Sequence, residues 1–524
     1  MGALAGWIGG PHASDEACAE APDEAALLPA LEALAHRGAT GEGIVAFQTD
    51  GGQRVTLGQP YYDAAAGIAV ALDGGHAFEG SSPAAALVRA YRRWDQQVVH
   101  HLRGAFAFAL WDAGRERLML ARDRLGEKPL YLTGERTLFF ASEVKALLRM
   151  PGVRAEAEPA AVRAYLAHRY VPGPRTLVRG IRKLAPGSYA LWQFGRVREV
   201  RYWSPPDAKP LTAKVEGDAV ARFTELLEDA VKLHLPAGLF LSGGFDSAML
   251  AALACRHARI KTYSAGFAGD RASELARAKA LAQHFGTEHH EITLCASDVI
   301  ARLAQAIRHR DAPLSRPSDL ALYALACEAA RSSHAVMTGE GADEVLGGYR
   351  RHVLPTLLFW QRPEDNAPPG VSALRRALYA EQASWLPDNV LERADRLTMA
   401  ASLEARAPFL DHRLVEFVAM LPDAQRVRGL STKWILRRAA RPLLRELKPR
   451  KGGFVIPAGA WMRGELRDFL IDHLRARASL ARAYYDPQAL DRVLDEHLAG
   501  KRNHETLLWT LLNLEIWHRN CLRP

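Results

Sequence analysis

The sequence predicts an α/β protein of two unlike halves, and three stretches carry that expectation. Gly238-Leu239-Phe240-Leu241 runs into Ser242-Gly243-Gly244-Phe245-Asp246-Ser247 and then into the helix-forming run Ala248 to Cys255. This is the pattern of a buried strand, a glycine turn and a helix start. The runs 261–267, 274–285 and 288–292 follow as strand, helix and strand, the alternation of a doubly wound sheet. Val336-Met337 then ends in Thr338-Gly339-Glu340-Gly341-Ala342-Asp343-Glu344, a second apolar strand that meets glycines and carboxylates. Ligands of such sheets gather beyond the carboxyl ends of the strands, so the two turns are expected to face each other.

The residue types in these turns suit a polyphosphate. Backbone N–H groups at a strand–turn–helix junction point outward, and the helix dipole adds positive potential there. Gly243 and Gly244 let the chain approach an anion with no Cβ in the way. Ser242 and Ser247 can donate hydroxyl hydrogen bonds. Asp246 would repel a bare phosphate, so it is expected to hold a magnesium ion (Mg2+) bridging phosphate oxygens. Asp343 is its expected partner on the metal from the opposite turn. Glu340 is placed to deprotonate an attacking amine or to steady the intermediate. The lysine of a Walker loop is absent. The plainer alternatives are a glycine-rich elbow and an acidic surface turn.

Composition bounds the rest. A chain of 524 residues, 48% hydrophobic and 24% charged, is ordinary for a globular protein with substantial cores. The net charge of +9 comes from arginines spread along the chain. There is no basic tail or aromatic-interleaved stripe, so no nucleic-acid partner is expected. The basic surface would help recruit ATP or an acidic substrate. The five cysteines, Cys18, Cys255, Cys295, Cys327 and Cys521, are scattered and odd in number, which predicts reduced thiols and a cytoplasmic location. No apolar run approaches the ~18 residues of a membrane span.

In chain order, residues 1–205 read as one domain and 206–524 as a second. The run 102–112 alternates large and small apolar residues and forms a hairpin with 118–123. Pro159 to His168 is a short helix, and Ala219 to Leu233 is a helix with one apolar face. Adjacent His289 and His290 point to opposite faces of a strand and are not expected to share a metal.

The glycine turn resembles the pyrophosphate loop of ATP pyrophosphatases, which split ATP into AMP and pyrophosphate while adenylating a substrate. The turn at Glu340, the run 395–417, Lys433 to Ala439 and Arg450 to Pro457 are similar to segments of the glutamine-dependent asparagine synthetases. So are Arg122 to Tyr131 and Phe140 to Leu147 of the first domain. The resemblance spans nearly the whole chain. It implies an N-terminal Ntn-type αββα amidotransferase-like sandwich joined to an ATP-pyrophosphatase domain with a helical C-terminal part, in an assembly that includes a homodimer among its possibilities. It implies ATP contacts at Leu241, Ser242, Gly243, Gly244, Asp246, Ser247, Ala265, Thr338, Gly339 and Gly341. Glu340 and Lys451 become the implied catalytic residues.

The departures point to lost glutamine chemistry. The family's nucleophile is a cysteine after the initiator methionine, and this chain reads Met1-Gly2-Ala3. The family's His-Arg-Gly-Pro-Asp-Gly appears as His36-Arg37-Gly38-Ala39-Thr40-Gly41, and the segments around Asp73 and Ser81 are also altered. The expected reaction is adenylation of a carboxylate followed by attack of an amine or ammonia. Three readings stay open: a specialised natural-product amide or lactam synthetase, an ammonia-using asparagine synthetase, and a non-catalytic regulator.

Overall fold

The computed structural model describes residues 2–9, 24–37, 44–49, 53–58, 60–75, 82–134, 137–208, 218–268, 274–353, 371–444, 447, 456–476 and 479–522. The N-terminal half is built from two six-stranded antiparallel sheets. One runs, in spatial order, Arg182–Lys183, Tyr131–Thr133, Leu138–Ala141, Ala5–Gly9, Arg54–Gly58, Ile44–Gln48. The other runs Arg196–Arg201, Ser188–Gln193, Arg117–Arg122, Phe106–Asp112, Ile68–Gly74, Tyr61–Asp63.

The alternation in the run 102–112 has a direct cause. Ala107, Ala109 and Trp111 face the first sheet and pack with Leu4, Ile8 and Leu57. Phe106, Phe108 and Leu110 point the other way, onto Leu87, Val88 and Tyr91 of the helix Pro83–Trp94. Strand periodicity thus sends the two alanines and Trp111 between the sheets and the phenylalanines and Leu110 under the helix. The predicted hairpin forms with Ala109 opposite Leu120. Its first strand starts at Phe106, not Leu102, because Gly104 turns the chain at φ 85°.

The C-terminal half holds five parallel strands: β1 (Gly238–Phe240), β2 (Lys261–Phe267), β3 (Glu288–Leu294), β4 (Ala335–Met337) and β5 (Glu404–Arg406), in the order β3-β2-β1-β4-β5. The helices that matter below are α1 (Ala219–His234), α2 (Phe245–Ala254), α3 (Glu274–Phe285), α4 (Ala296–Arg310), α5 (Ser318–Ala329), α6 (Ala342–Leu346), α7 (Glu392–Met399) and α8 (Trp434–Ala440). A π-helical stretch, Glu381–Leu391, leads into α7. The chain reverses direction across the sheet between β1 and β4, so the turns after these neighbouring strands open into one crevice. Helix α2 is apolar nearly all round and buried, as a helix between sheet and outer helices must be.

One core joins the halves. Trp7, Tyr131 and Tyr165 share a cluster with Leu303, Leu397 and Trp517. No helix among the described residues is long and apolar enough to cross a membrane.

Candidate active site

The crevice beyond β1, β2 and β4 is a cavity of about 380 Å³. Eight of the ten predicted ATP contacts line it: Leu241, Ser242, Gly244, Asp246, Ser247, Ala265, Thr338 and Gly339. Gly243 and Gly341 do not. Their role is to bend the chain, at φ 75° and 82°, where a Cβ would lie 2.9 Å from Arg277 Cβ and 2.2 Å from Leu410 Cδ2 respectively. Helix α2 begins at Phe245, earlier than the predicted Ala248, so Asp246 and Ser247 sit in its first turn. Ser247 Oγ accepts from the Ser242 backbone N–H at 3.2 Å, and the two hydroxyls lie 3.1 Å apart. That cross-link closes the turn and leaves its remaining backbone donors for an anion.

Asp246 and Asp343 do face each other, and a residue that sequence reasoning missed stands between them. Lys433 Nζ donates to Asp246 Oδ2 at 2.7 Å and approaches Asp343 Oδ1 at 2.8 Å. Burial opposes the Lys433 charge, but the two carboxylates outweigh it and raise its pKa. Lys433 occupies the left-handed region (φ 51°) just before α8, which swings its side chain inward. Gly348 makes the approach possible, since a Cβ there would fall 1.8 Å from Asp343 Oδ1 and 2.1 Å from Lys433 Cε.

Asp246 Oδ1 is buried without a hydrogen-bond partner. An orphaned carboxylate oxygen beside a second carboxylate suits a hard divalent cation that takes its other ligands from phosphate and water. The described residues hold no group of three or more His, Cys, Asp or Glu that would bind a metal without such help.

Glu340 also lines the cavity, yet it is not a free base. Arg393, at the start of α7, donates to its Oε1 at 2.6 Å and to Asp319 Oδ1 at 3.3 Å. Burial works against the guanidinium, but Glu340 and Asp319 raise its pKa. The Glu340 side chain stays 29% exposed. Next to it, Glu344 accepts from Tyr349 at 2.6 Å and from the Trp385 indole at 3.2 Å. Burial lifts Glu344 to about 7. Arg437 stacks 4.5 Å over the Phe245 ring at the cavity edge. Lys451 lies outside the described residues.

Lys433 and Arg393 left little trace in the sequence. Each is one basic residue among several in its stretch, and Lys433 meets Asp246 across 187 positions of chain. The left-handed turn and the packing of Gly348, neither readable locally, bring Lys433 in.

The site is thus a switch-point cavity lined by a serine–glycine turn and a lysine-bridged pair of aspartates. The profile of the family described as asparagine synthase matches residues 222–519, and that of the glutamine amidotransferase domain matches 67–203. A putative asparagine synthetase (glutamine-hydrolyzing) of Mycobacterium tuberculosis is 33% identical over 530 residues, covering 85% of this chain and 80% of the relative. The asparagine synthetase (glutamine-hydrolyzing) 1 of Bacillus subtilis is 28% identical over 524 residues, with 85% and 82% covered. An amidase, chyE, of Penicillium rubens is 26% identical over 507 residues, with 74% and 75% covered. The chain belongs to the asparagine synthase family and is an ATP-dependent carbon–nitrogen ligase.

Proposed function

We propose that the protein adenylates a carboxylate and condenses it with an amine, without hydrolysing glutamine. The observation that carries this reading is the Asp246–Lys433–Asp343 bridge, which joins the two phosphate-facing turns at one cavity. The substrate carboxylate attacks the α-phosphorus of ATP, giving an acyl-adenylate and pyrophosphate. Lys433 and the N–H groups of the Ser242 turn stabilise the charge developing on the leaving pyrophosphate. Asp246 and Asp343 would hold magnesium, which, when bound, neutralises phosphate oxygens and orients the leaving group. Glu340, oriented by Arg393, takes a proton from the amine as it displaces AMP. Lys451 is assigned a supporting charge on the adenylate.

Two features support the loss of glutamine chemistry. A Cβ at Gly2 would lie 2.0 Å from the Leu72 carbonyl oxygen, so no side chain fits there. Arg37 is fully buried and is taken up by Asp73, Glu143 and Asp395. A synthetase that needs no released ammonia can lose that site, which favours an amine supplied by the substrate, as in specialised amide or macrolactam formation in the cytoplasm. The domains are assigned as 1–205 and 206–524.

The test is pyrophosphate release on offering candidate acids with and without amines. AMP and pyrophosphate are expected, with no glutamate from glutamine. ADP and orthophosphate as primary products would rule the reading out. Amide formation from aspartate and free ammonia alone would favour the ammonia-using asparagine synthetase instead.

A further inference from the structure

The segment 388–396 is held from the N-terminal half at every turn. Lys183 reaches Asp388 Oδ1 at 3.2 Å and Glu392 Oε2 at 2.7 Å. Arg37 donates to both oxygens of Asp395, at 2.8 and 3.1 Å, and Lys128 donates to Asp395 Oδ1 at 3.0 Å. Arg396 meets Glu143 at 2.7 Å. Arg37, Glu143 and Arg396 are 0% exposed.

The spacing explains the arrangement. Glu392, Asp395 and Arg396 stand at i, i+3 and i+4 of α7, one stripe of the helix, and Asp388 precedes them in the π-helical stretch. That stripe faces the N-terminal half. Arg393 is about 100° further round from Glu392, so it points elsewhere, to Glu340 and Asp319. One face of α7 is therefore clamped by a buried charge cluster, and the neighbouring face holds the proposed base.

Buried charges of this kind are weak sources of stability and strong sources of register, because each must find its partner. Asp395 has two cationic partners from the N-terminal half, and no shift of α7 by a residue would satisfy both. Arg37, of the His36-Arg37-Gly38 run, thus grips the synthetase half through Asp395.

We infer that the N-terminal half is retained as a positioning device, with Arg37 and Lys128 acting through Asp395, α7 and Arg393 to set the Glu340 carboxylate for the amide-forming step. The inference rests on the reading of Glu340 given above. It makes Arg37 and Lys128 positioning residues of the second step alone, since Asp246, Lys433 and Asp343 are held by other elements.

The experiment compares Arg37→Met, Arg37→Lys and Lys128→Met in the full chain. A misplacement of about 1 Å can cost on the order of 100-fold in rate. Both Met variants are expected to lower kcat for amide formation at least about tenfold at saturating amine, with the KM for ATP and the pyrophosphate-exchange rate within about twofold. Arg37→Lys should recover part of the loss. A second readout needs no substrate: hydrogen–deuterium exchange at residues 338–344 should quicken in Arg37→Met.

Folded variants with wild-type amide formation would overturn the inference, as would equal loss of both steps. Unchanged exchange at 338–344 would overturn it too. If Arg37→Met does not fold, Lys128→Met, which leaves Arg37 on Asp395, decides. A wild-type protein that exchanges no pyrophosphate would sink the proposed function, while the deuterium readout still judges the coupling.

Discussion

Arg393 donates one nitrogen to Glu340 at 2.6 Å while its other reaches Asp319 at 3.3 Å. The pairing divides the cavity into two chemical ends. Around Asp246 two carboxylates share the Lys433 ammonium beside the glycine turn. Around Glu340 a carboxylate is fixed in place by a half-buried guanidinium, with one oxygen committed and the side chain still reaching the cavity.

Separation of the two steps tests that division. Glu340→Gln keeps size and turn but removes the base, a contribution typically of ~10²–10⁴-fold in rate. With the right acid, this variant should still exchange pyrophosphate into ATP, yet make amide at least about a hundredfold more slowly. Equal loss in both assays would place Glu340 with the acid- or metal-binding groups.

The other end answers to Lys433 and Gly348. Lys433→Met leaves two carboxylates facing one another with no cation, so pyrophosphate exchange should fall by about 10²–10³-fold, the usual effect of removing one preorganised charge-stabilising group. Asp246→Asn and Asp343→Asn should lose both steps. Gly348→Ala puts a methyl 1.8 Å from Asp343 Oδ1 and should cut exchange at least about tenfold without changing any charge. Near-normal exchange in Gly348→Ala would show that Asp343 and Lys433 need no such close contact.

Much of the frame was legible in the sequence because it rests on periodicity. The alternation at 106–111, the apolar face of α1 and the strands ending in glycine turns are local patterns, and their elements appear within a few residues of expectation. The placement of Asp246, Glu340 and Asp343 at the cavity was legible for a similar reason, as carboxylates beside glycines at strand ends. Lys433, Arg393 and the cluster around Arg37 were not. Their meaning lies in partners far along the chain, such as Asp395 for Arg37 at a separation of 358. A buried arginine carries no local mark that distinguishes it from a solvated one.

Restoring the missing thiol should not restore glutamine hydrolysis. In Gly2→Cys the new side chain would press on the Leu72 carbonyl, and Arg37 would remain committed to three carboxylates. Glutamate production from glutamine should stay at the enzyme-free rate in both the wild type and this variant. A rise in Gly2→Cys would mean that the strand yields and the pocket survives.

Acid should weaken the fold through the histidines of the same interface. His36 and His309 pack edge to face at 4.8 Å. Burial, with help from Lys145, holds His36 near about 2 and His309 near about 3. His36 does stand 3.1 Å from Glu143, but that carboxylate is already shared by Arg37, Arg396 and Lys145 and does not rescue an imidazolium. The folded state therefore refuses protons that the unfolded chain accepts below about pH 6.5, and stability falls as pH drops from there toward 3. At pH 5 each ring should cost at most about 1–2 kcal/mol by linkage, with the partial exposure of both rings keeping their shares toward the lower figure. Urea unfolding between pH 7 and 5 measures the slope. His36→Asn with His309→Asn should flatten it, and an unchanged slope in that double variant would assign the acid sensitivity to other groups.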